Sequence, residues 1–220
     1  MAHRPSLVAS LAFEATRFSL LGDANAVSRL VDELVAVATE QGFPSWGAHG
    51  TVFRGWVKVK NGEVAQGMSL LRAGSSALGA TLGVAWTLHS FALLAEACEI
   101  AGKIREGLAW LDRALQMIET TGIAWLAAEL NRLKGQLLLR QGNNAGAEEL
   151  YRKGLCIARG QDARFWEVRA AVSLARLRRD QGRRTEAREV LAPVYLWFTE
   201  GFATPDLKEA KALLDELGGA

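Results

Sequence analysis

Apolar and polar positions follow one another along the chain with the spacing of amphipathic α-helices. Within 124–141, Leu126, Leu130, Leu133 and Leu137 form one apolar stripe, while charged and amide side chains occupy another face. Similar segments follow from end to end, separated by short turns, so neighbouring helices are expected to be antiparallel. No segment shows the alternation of a β-strand. The pattern predicts an all-α chain.

The predicted helices form five long hairpins and a final helix. First helices are expected at about 6–21, 45–61, 84–101, 124–141 and 164–181, and their partners at about 24–41, 63–79, 104–121, 145–160 and 185–200. The repeats are expected to cover about 1–42, 43–82, 83–122, 123–162 and 163–202 of a single domain spanning 1–220. A capping helix is expected over 204–218, because Thr204 suits an N-cap and Pro205 suits the first helical position.

Glycines mark the repeat with a period of forty residues. They stand between the two helices of each hairpin, at Gly22, Gly62, Gly102, Gly142 and Gly182. A glycine after a helix is the usual left-handed stop, since it has no Cβ to clash with the backbone. Five such stops in one register predict an internal repeat.

Three further columns of residues keep the same period. Small residues occur seven positions before each glycine, at Ala15, Gly55, Ala95, Gly135 and Ala175. Small or slender ones occur five positions after it, at Val27, Gly67, Gly107, Ala147 and Ala187, and large ones nine after it, at Val31, Leu71, Leu111, Tyr151 and Leu191. Small residues that face each other let two helices approach closely, so these columns predict stacked helical hairpins.

These columns resemble the tetratricopeptide repeat (TPR), with hairpins longer than is usual in that family. Residues 40–44, 128–139 and 174–217 resemble more specifically the C-terminal repeats of large bacterial signalling proteins. Those proteins carry a class III nucleotide cyclase or a DNA-binding domain, then a STAND-type ATPase, then such repeats. The resemblance implies a right-handed superhelix acting as a sensory or regulatory module, with catalysis on domains outside this sequence.

Composition and charge narrow the class of protein. Half of the 220 residues are hydrophobic and 23% are charged, so the chain can bury a core. A formal charge of +2 is too small to indicate a nucleic-acid binder. No segment reaches the roughly 18 apolar residues of a membrane span. A cytoplasmic protein without a membrane partner is expected.

Candidate chemistry is sparse. No Walker A, dinucleotide-binding, zinc-protease or nucleophile-elbow motif occurs, so no enzyme activity and no cofactor are expected. His49 and His89 lie forty residues apart, and a metal site with Glu96 and Glu99 is the weaker interpretation beside ordinary groove or surface histidines. The two cysteines, at 98 and 156, are expected to be buried and inert.

The expected binding surface is the concave face that first helices line in a TPR array. The repeat register places there His49, Trp56, Lys60, His89, Glu96, Glu99, Glu129, Arg132, Gln136, Arg140, Arg169, Arg176, Arg179 and Asp180. Arginine dominates toward the end, and its guanidinium binds carboxylate or phosphate with two hydrogen bonds, which predicts an acidic peptide or an anion as ligand. The alternative is a solvated face with local pairs such as Glu129–Arg132 and Arg176–Asp180.

The sequence predicts a non-catalytic protein-interaction or sensory scaffold. A small-molecule sensor, with an effector held near Trp56, His49 and His89, is the alternative. The first helix carries apolar residues around much of its circumference, so this end is expected to contact either another copy of the chain or an upstream repeat of a longer parent chain; the residues are Leu7, Val8, Leu11, Phe13, Phe18, Leu20 and Leu21.

Overall fold

The computed structural model describes residues 4–79 and 83–219, and within them the chain forms eleven α-helices and no strand. The helices are α1 (Arg4–Leu20), α2 (Ala24–Glu40), α3 (Pro44–Lys60), α4 (Val64–Gly79), α5 (Val84–Ile100), α6 (Ile104–Thr121), α7 (Ala127–Arg140), α8 (Asn144–Gly160), α9 (Arg164–Asp180), α10 (Arg184–Leu196) and α11 (Pro205–Gly218). The predicted all-α class and the order of the hairpins are confirmed. The expected repeat boundary at 82 lies outside the described residues.

The helices group into two compact units, Met1–Ile123 and Ala124–Ala220. Unit 1 contains α1 to α6, and unit 2 contains α7 to α11.

The five periodic glycines end the first helix of each hairpin as predicted. All have a left-handed backbone, with φ of +77° at Gly22, +88° at Gly62, +69° at Gly102, +79° at Gly142 and +76° at Gly182. The residue that follows bonds back to the last turn of the helix, as in Lys103 N–H to the Cys98 carbonyl at 2.8 Å. The turn therefore satisfies helix carbonyls that would otherwise lack a partner.

A second set of left-handed turns joins successive hairpins and was not predicted. Gly42 and Gly122 have φ of +67° and +72°, and Asp162 holds the equivalent position with φ of +51°. Asp tolerates this conformation better than most residues with a Cβ. The signal in the sequence was weaker because the position is not always glycine.

Small residues do bring the helices of a hairpin into close contact. In the α3–α4 hairpin, a Cβ on Gly55 would lie 2.7 Å from the Leu71 backbone nitrogen and 2.8 Å from the Gly67 carbonyl oxygen. No side chain fits at that distance, so glycine is required for this approach. The large residues of the third column, Leu71 among them, are buried beside these contacts.

First helices pack directly on one another within each unit. Helix α3 contacts α1 and α5, and α9 contacts α7 and α11. Second helices lie further apart in the described residues and meet through long side chains, such as Arg72 of α4, which binds Glu106 of α6 at 2.7 Å. First helices therefore form the inner layer of each unit, as a TPR-like stack requires.

Helix α10 ends at Leu196, four residues before the expected position at 200. Pro193 lies inside its last turn and has no N–H to donate to the preceding turn. Leu196 and Trp197 then remain exposed, and Gly201 turns the chain left-handed toward α11. The prediction of a helix to residue 200 was therefore wrong, although the helix continues for three residues beyond Pro193.

Helix α1 exposes more apolar surface than α11, as expected, but the difference is smaller than expected. Helix α11 buries Leu207, Ala210, Leu213 and Leu217 and presents charged residues outward, in agreement with a capping helix. In α1, Val8 and Leu11 are buried, and Phe13 is the large apolar residue that stays exposed, at 62%. The outward face of α1 also carries Ser6, Ser10, Glu14 and Arg17. The expected apolar surface thus shrinks to a neighbourhood of Phe13, and self-association there stays a prediction.

Candidate binding site

The inner layer of unit 2 borders a cavity of about 370 Å³ that is partly open to solvent and lies between α7, α9 and α11, with Tyr151 of α8 also in its lining. We call it the arginine cavity. Its lining consists of Arg132, Gln136, Leu139, Arg140, Tyr151, Arg169, Val172, Ser173, Arg176, Leu177, Asp180, Asp206 and Glu209. Six of the predicted binding residues are therefore brought together around one space: Arg132, Gln136, Arg140, Arg169, Arg176 and Asp180.

Glu129 anchors the floor of this cavity. Its side chain is only 4% exposed, and its Oε1 lies 2.8 Å from Arg132 Nη2 and 3.0 Å from Arg169 Nη2. Burial raises the pKa of Glu129, but the charges of the two arginines and the Arg132 hydrogen bonds outweigh it and leave the pKa below its usual value. Glu129 is thus ionised, and it holds Arg132 and Arg169 in fixed positions.

The predicted residues of unit 2 make contacts both inside the cavity and outside it. Arg132 also donates from Nη1 to the Gln136 side-chain oxygen at 2.8 Å, so the expected Glu129–Arg132 pair is part of a longer chain of contacts. Arg176 pairs with Glu209 of α11, whereas Asp180 binds Arg179 at 2.8 Å. Arg179 also reaches Glu216 at 2.9 Å and does not line the cavity.

Two acidic residues of α11 complete the arginine cavity and were not predicted. Asp206 Oδ1 lies 3.5 Å from Arg169 Nε, and Glu209 pairs with Arg176. Burial raises the pKa of Asp206, the charge of Arg169 lowers it, and the nearby carboxylates of Glu129 and Glu209 contribute to a net increase. Glu209 follows Arg169 by forty residues, so the repeat register contained this signal.

The predicted residues of unit 1 also meet, but half of them are buried: His49, Trp56 and His89. Trp56 is 1% exposed, and its indole N–H donates to Glu96 Oε2 at 3.3 Å across α3 and α5. Lys60 lies 3.8 Å from the same carboxylate and 5.3 Å from the Trp56 ring centre. Glu99 is half-buried further along α5. These contacts bury Trp56 at the edge of the unit 1 core.

His49 and His89 belong to an aromatic cluster in the core of unit 1. The His49 ring centre lies 4.6 Å from those of Phe53 and Trp86, and both of its ring nitrogens are buried without a hydrogen-bond partner. His89 Nε2 lies 3.2 Å from Ser19 Oγ. Burial lowers the pKa of His49 to about 3, with a further contribution from His89, and burial lowers the pKa of His89 to about 4. Both rings are therefore neutral near pH 7, and an effector cannot touch them unless unit 1 opens.

The described residues also bear on the metal site, the two cysteines and a membrane span. Within 4–79 and 83–219, no three His, Cys, Asp or Glu side chains lie close enough together to hold a metal ion. Cys98 is buried as predicted, but Cys156 is exposed, and the prediction of a buried thiol there was wrong. Cys156 follows Arg152 and Lys153 on the outward face of α8, although its sequence neighbours Leu155 and Ala158 are buried. Across the described chain, no helix combines the length and the apolar character that a membrane crossing needs.

Comparisons with known proteins identify the fold. No family model and no curated protein sequence matches the chain. Among solved structures, a Pyrococcus horikoshii signal transduction ATPase with numerous domains (STAND) and a tetratricopeptide repeat sensor is similar over 96% of this chain and 31% of its own, with a TM-score of 0.69 at 13% identity. A Podosopora anserina protein described as a kinesin light chain with nearly identical TPR-like repeats matches over the full length of both chains, at TM-score 0.59 and 18% identity. BtubC from P. vanneervenii matches over 99% of this chain and 91% of its own, at TM-score 0.60 and 14% identity.

Proposed function

We propose that this chain, which has the fold of a TPR-like repeat protein, is a non-catalytic interaction module whose arginine cavity binds an acidic segment of a partner protein. The observation that carries the proposal is the convergence of four arginines, Arg132, Arg140, Arg169 and Arg176, on one cavity in the inner layer of unit 2. TPR-like stacks present such inner surfaces for recognition.

The cavity is preorganised for carboxylate ligands. Glu129 fixes Arg132 and Arg169 from below, so a ligand meets guanidinium groups that need little further ordering. Each guanidinium has five N–H donors, and one bound carboxylate leaves donors for a second. Arg140 and Arg176 are exposed at the rim, where an entering segment meets them first.

The context of the proposed module is a bacterial signalling system with an ATPase or a nucleotide cyclase. The resemblance of residues 128–139 and 174–217 to such proteins supports this proposal. The repeats of the Pyrococcus STAND protein, which its description calls a sensor, support it at the level of the fold. An intramolecular or partner segment rich in Asp and Glu is the ligand that this setting would have to supply.

A small-molecule sensor is the second candidate, and the structure favours unit 2 for it rather than the predicted site at Trp56, His49 and His89. Those three side chains are at most 1% exposed. The arginine cavity, at about 370 Å³, falls within the range of about 300 to 1,000 Å³ that is typical of small-ligand sites. A dicarboxylate is the small molecule that its arginines fit best.

The test measures binding of a short fluorescent peptide of alternating Glu and Ser, with a Gln and Ser peptide as the uncharged counterpart. We expect the Glu peptide to bind in a salt-sensitive manner and Arg176→Glu or Arg140→Glu to weaken it by about tenfold or more. Arg152→Glu is the matched control, because Arg152 is 58% exposed against 50% for Arg176, also pairs with a glutamate and lies outside the cavity.

Equal binding of both peptides, or equal effects of Arg176→Glu and Arg152→Glu, would contradict the proposed site. Glutarate serves as the small-molecule probe. If glutarate raises the melting temperature and binds as tightly as the Glu peptide, the second candidate is the better description.

A further inference from the structure

Helix α11 continues the register of the first helices α7 and α9. Glu129 of α7, Arg169 of α9 and Glu209 of α11 are spaced by forty residues and occupy equivalent positions. Arg169 contacts Glu129, and Arg176, two turns further along α9, pairs with Glu209. The chain therefore supplies, from its own last helix, carboxylates to the arginines on which the proposed ligand depends.

The helix itself is held firmly, so only its side chains are available to move. Leu207, Ala210, Leu213 and Leu217 are buried against α9 and α10. Asp206 is also confined, with a side chain that is 18% exposed beside Arg169. Glu209 differs, because its side chain is 38% exposed and that of its partner Arg176 is 50% exposed.

An exposed ion pair of this kind stabilises a protein only slightly, and its partners exchange readily with other charges. A ligand carboxylate can accept two hydrogen bonds from the Arg176 guanidinium. Glu209 occupies the same guanidinium, so the two carboxylates repel each other there. Glu209 then has a direct path to water, whereas Asp206 does not.

We propose that Glu209 is a built-in competitor, which occupies Arg176 until a segment with several carboxylates displaces it. The inference rests on the function proposed above. Any carboxylate that binds Arg176 has to displace Glu209 at the same cost, and a polyacidic segment offsets this cost with a further contact at Arg140. Glu209 therefore lowers the affinity of every ligand at Arg176, and a polyacidic segment is the ligand that retains tight binding.

The test uses the full chain and a double-mutant cycle between positions 209 and 176. Glu209→Gln is expected to tighten the Glu and Ser peptide about twofold to fivefold, and to tighten a peptide with one glutamate by a similar factor where that glutamate binds Arg176. In the Arg176→Gln background, Glu209→Gln is expected to leave the Kd unchanged, since there is no guanidinium left to compete for. Melting temperatures of all four proteins confirm that they are folded.

Glu216→Gln is the matched control. Glu216 lies on the same helix, and its replacement by Gln removes the same charge. Glu216 pairs with Arg179 outside the cavity. If Glu209→Gln and Glu216→Gln tighten binding equally, or if the Glu209 effect persists without Arg176, the charge acts at a distance and the competitor role is wrong.

Failure of this inference is distinguishable from failure of the proposed function. Loss of binding on Arg140→Glu together with no response to Glu209→Gln keeps the arginine cavity as the binding site and overturns the competitor. Absence of peptide binding to every variant overturns both.

Discussion

Glu129 and Arg169, forty residues apart in the chain, form an ion pair of 3.0 Å between two neighbouring first helices. The pair results from the repeat register, which places equivalent positions of α7 and α9 side by side. Arg132 joins it from the same helix as Glu129. One buried carboxylate is thus shared by two arginines that line the arginine cavity.

Replacing Glu129 by Gln is expected to destabilise the protein strongly. The substitution leaves Arg132 and Arg169 without their shared countercharge inside unit 2, and breaking a buried ion pair typically costs about 3 kcal/mol or more. Urea denaturation measures the loss. Glu63→Gln, which removes a half-exposed pair with Lys58, is the control and should cost less than about 1 kcal/mol. Similar losses for the two variants would show that the buried pair stabilises the protein no more than the half-exposed pair does.

Two Gly→Ala substitutions in α3 are expected to have opposite effects. A Cβ at Gly55 meets the backbone of α4 at 2.7 Å, so Gly55→Ala must push the helices apart and cost about 1 to 3 kcal/mol. A Cβ at Gly47 meets nothing within 4 Å, so Gly47→Ala should stabilise the protein by about 0.5 to 1 kcal/mol through helix propensity. Thermal unfolding compares them. Destabilisation by both would mean that the close approach at Gly55 is not the cause.

Features that recur with the repeat were predictable, because the repeat occurs five times along the chain. The left-handed glycines, the close contact at Gly55 and the gathering of Arg132, Arg169 and Arg176 all follow from a forty-residue register. The side-chain environment was less predictable. His49 and Trp56 have the right register for an inner surface, yet neighbouring aromatic rings and long side chains cover them.

Residues outside the regular pattern account for the remaining differences. Asp206 and Glu209 lie on a helix interpreted only as a cap, so their contribution to the cavity was missed although Glu209 keeps the register. Cys156 shows that apolar sequence neighbours do not place a residue on the buried face of a helix, because adjacent positions point about 100° apart.

The two cysteines are expected to differ sharply in reactivity. Cys156 is exposed on α8, whereas Cys98 is buried and burial raises its pKa to about 12, so it has almost no thiolate near pH 7. A colorimetric thiol reagent should modify one cysteine in the native protein and both in denaturant. Cys156→Ser should abolish the native reaction. Rapid modification of the Cys156→Ser protein would show that Cys98 is accessible.

The turn at Asp162 offers a stabilising substitution. Its left-handed backbone is strained for a residue with a Cβ, so Asp162→Gly is expected to gain up to about 1 kcal/mol. Gly122→Ala, at the equivalent turn one repeat earlier, is expected to lose about 1 kcal/mol for the same reason. Denaturation midpoints test the pair. Effects of the same sign would contradict the equivalence of the two turns.

The histidines of unit 1 are expected to make the protein sensitive to mild acid. Their folded-state pKa values of about 3 and about 4 lie below the ordinary value of 6.5, so the unfolded chain binds protons first as the pH falls. The contribution of the two histidines to the free energy of unfolding is fully present well above pH 6.5. It decreases as the pH falls through 6.5, by up to about 1.4 kcal/mol per pH unit for each histidine. Urea denaturation at pH 7 and pH 5 measures this decrease.

His49→Phe isolates the contribution of one ring. The variant keeps an aromatic side chain next to Phe53 and Trp86 and removes two buried nitrogens that have no hydrogen-bond partner. It is expected to be at least as stable as the wild type at pH 7, because burying an unpaired polar group is costly. Between pH 6.5 and pH 5 it should lose stability about half as steeply, since His89 is then the remaining one of the two rings that the unfolded chain protonates and the folded protein does not. An unchanged slope would mean that His49 is protonated as easily in the folded protein as in the unfolded chain, and the buried aromatic cluster would then be more open than its geometry indicates.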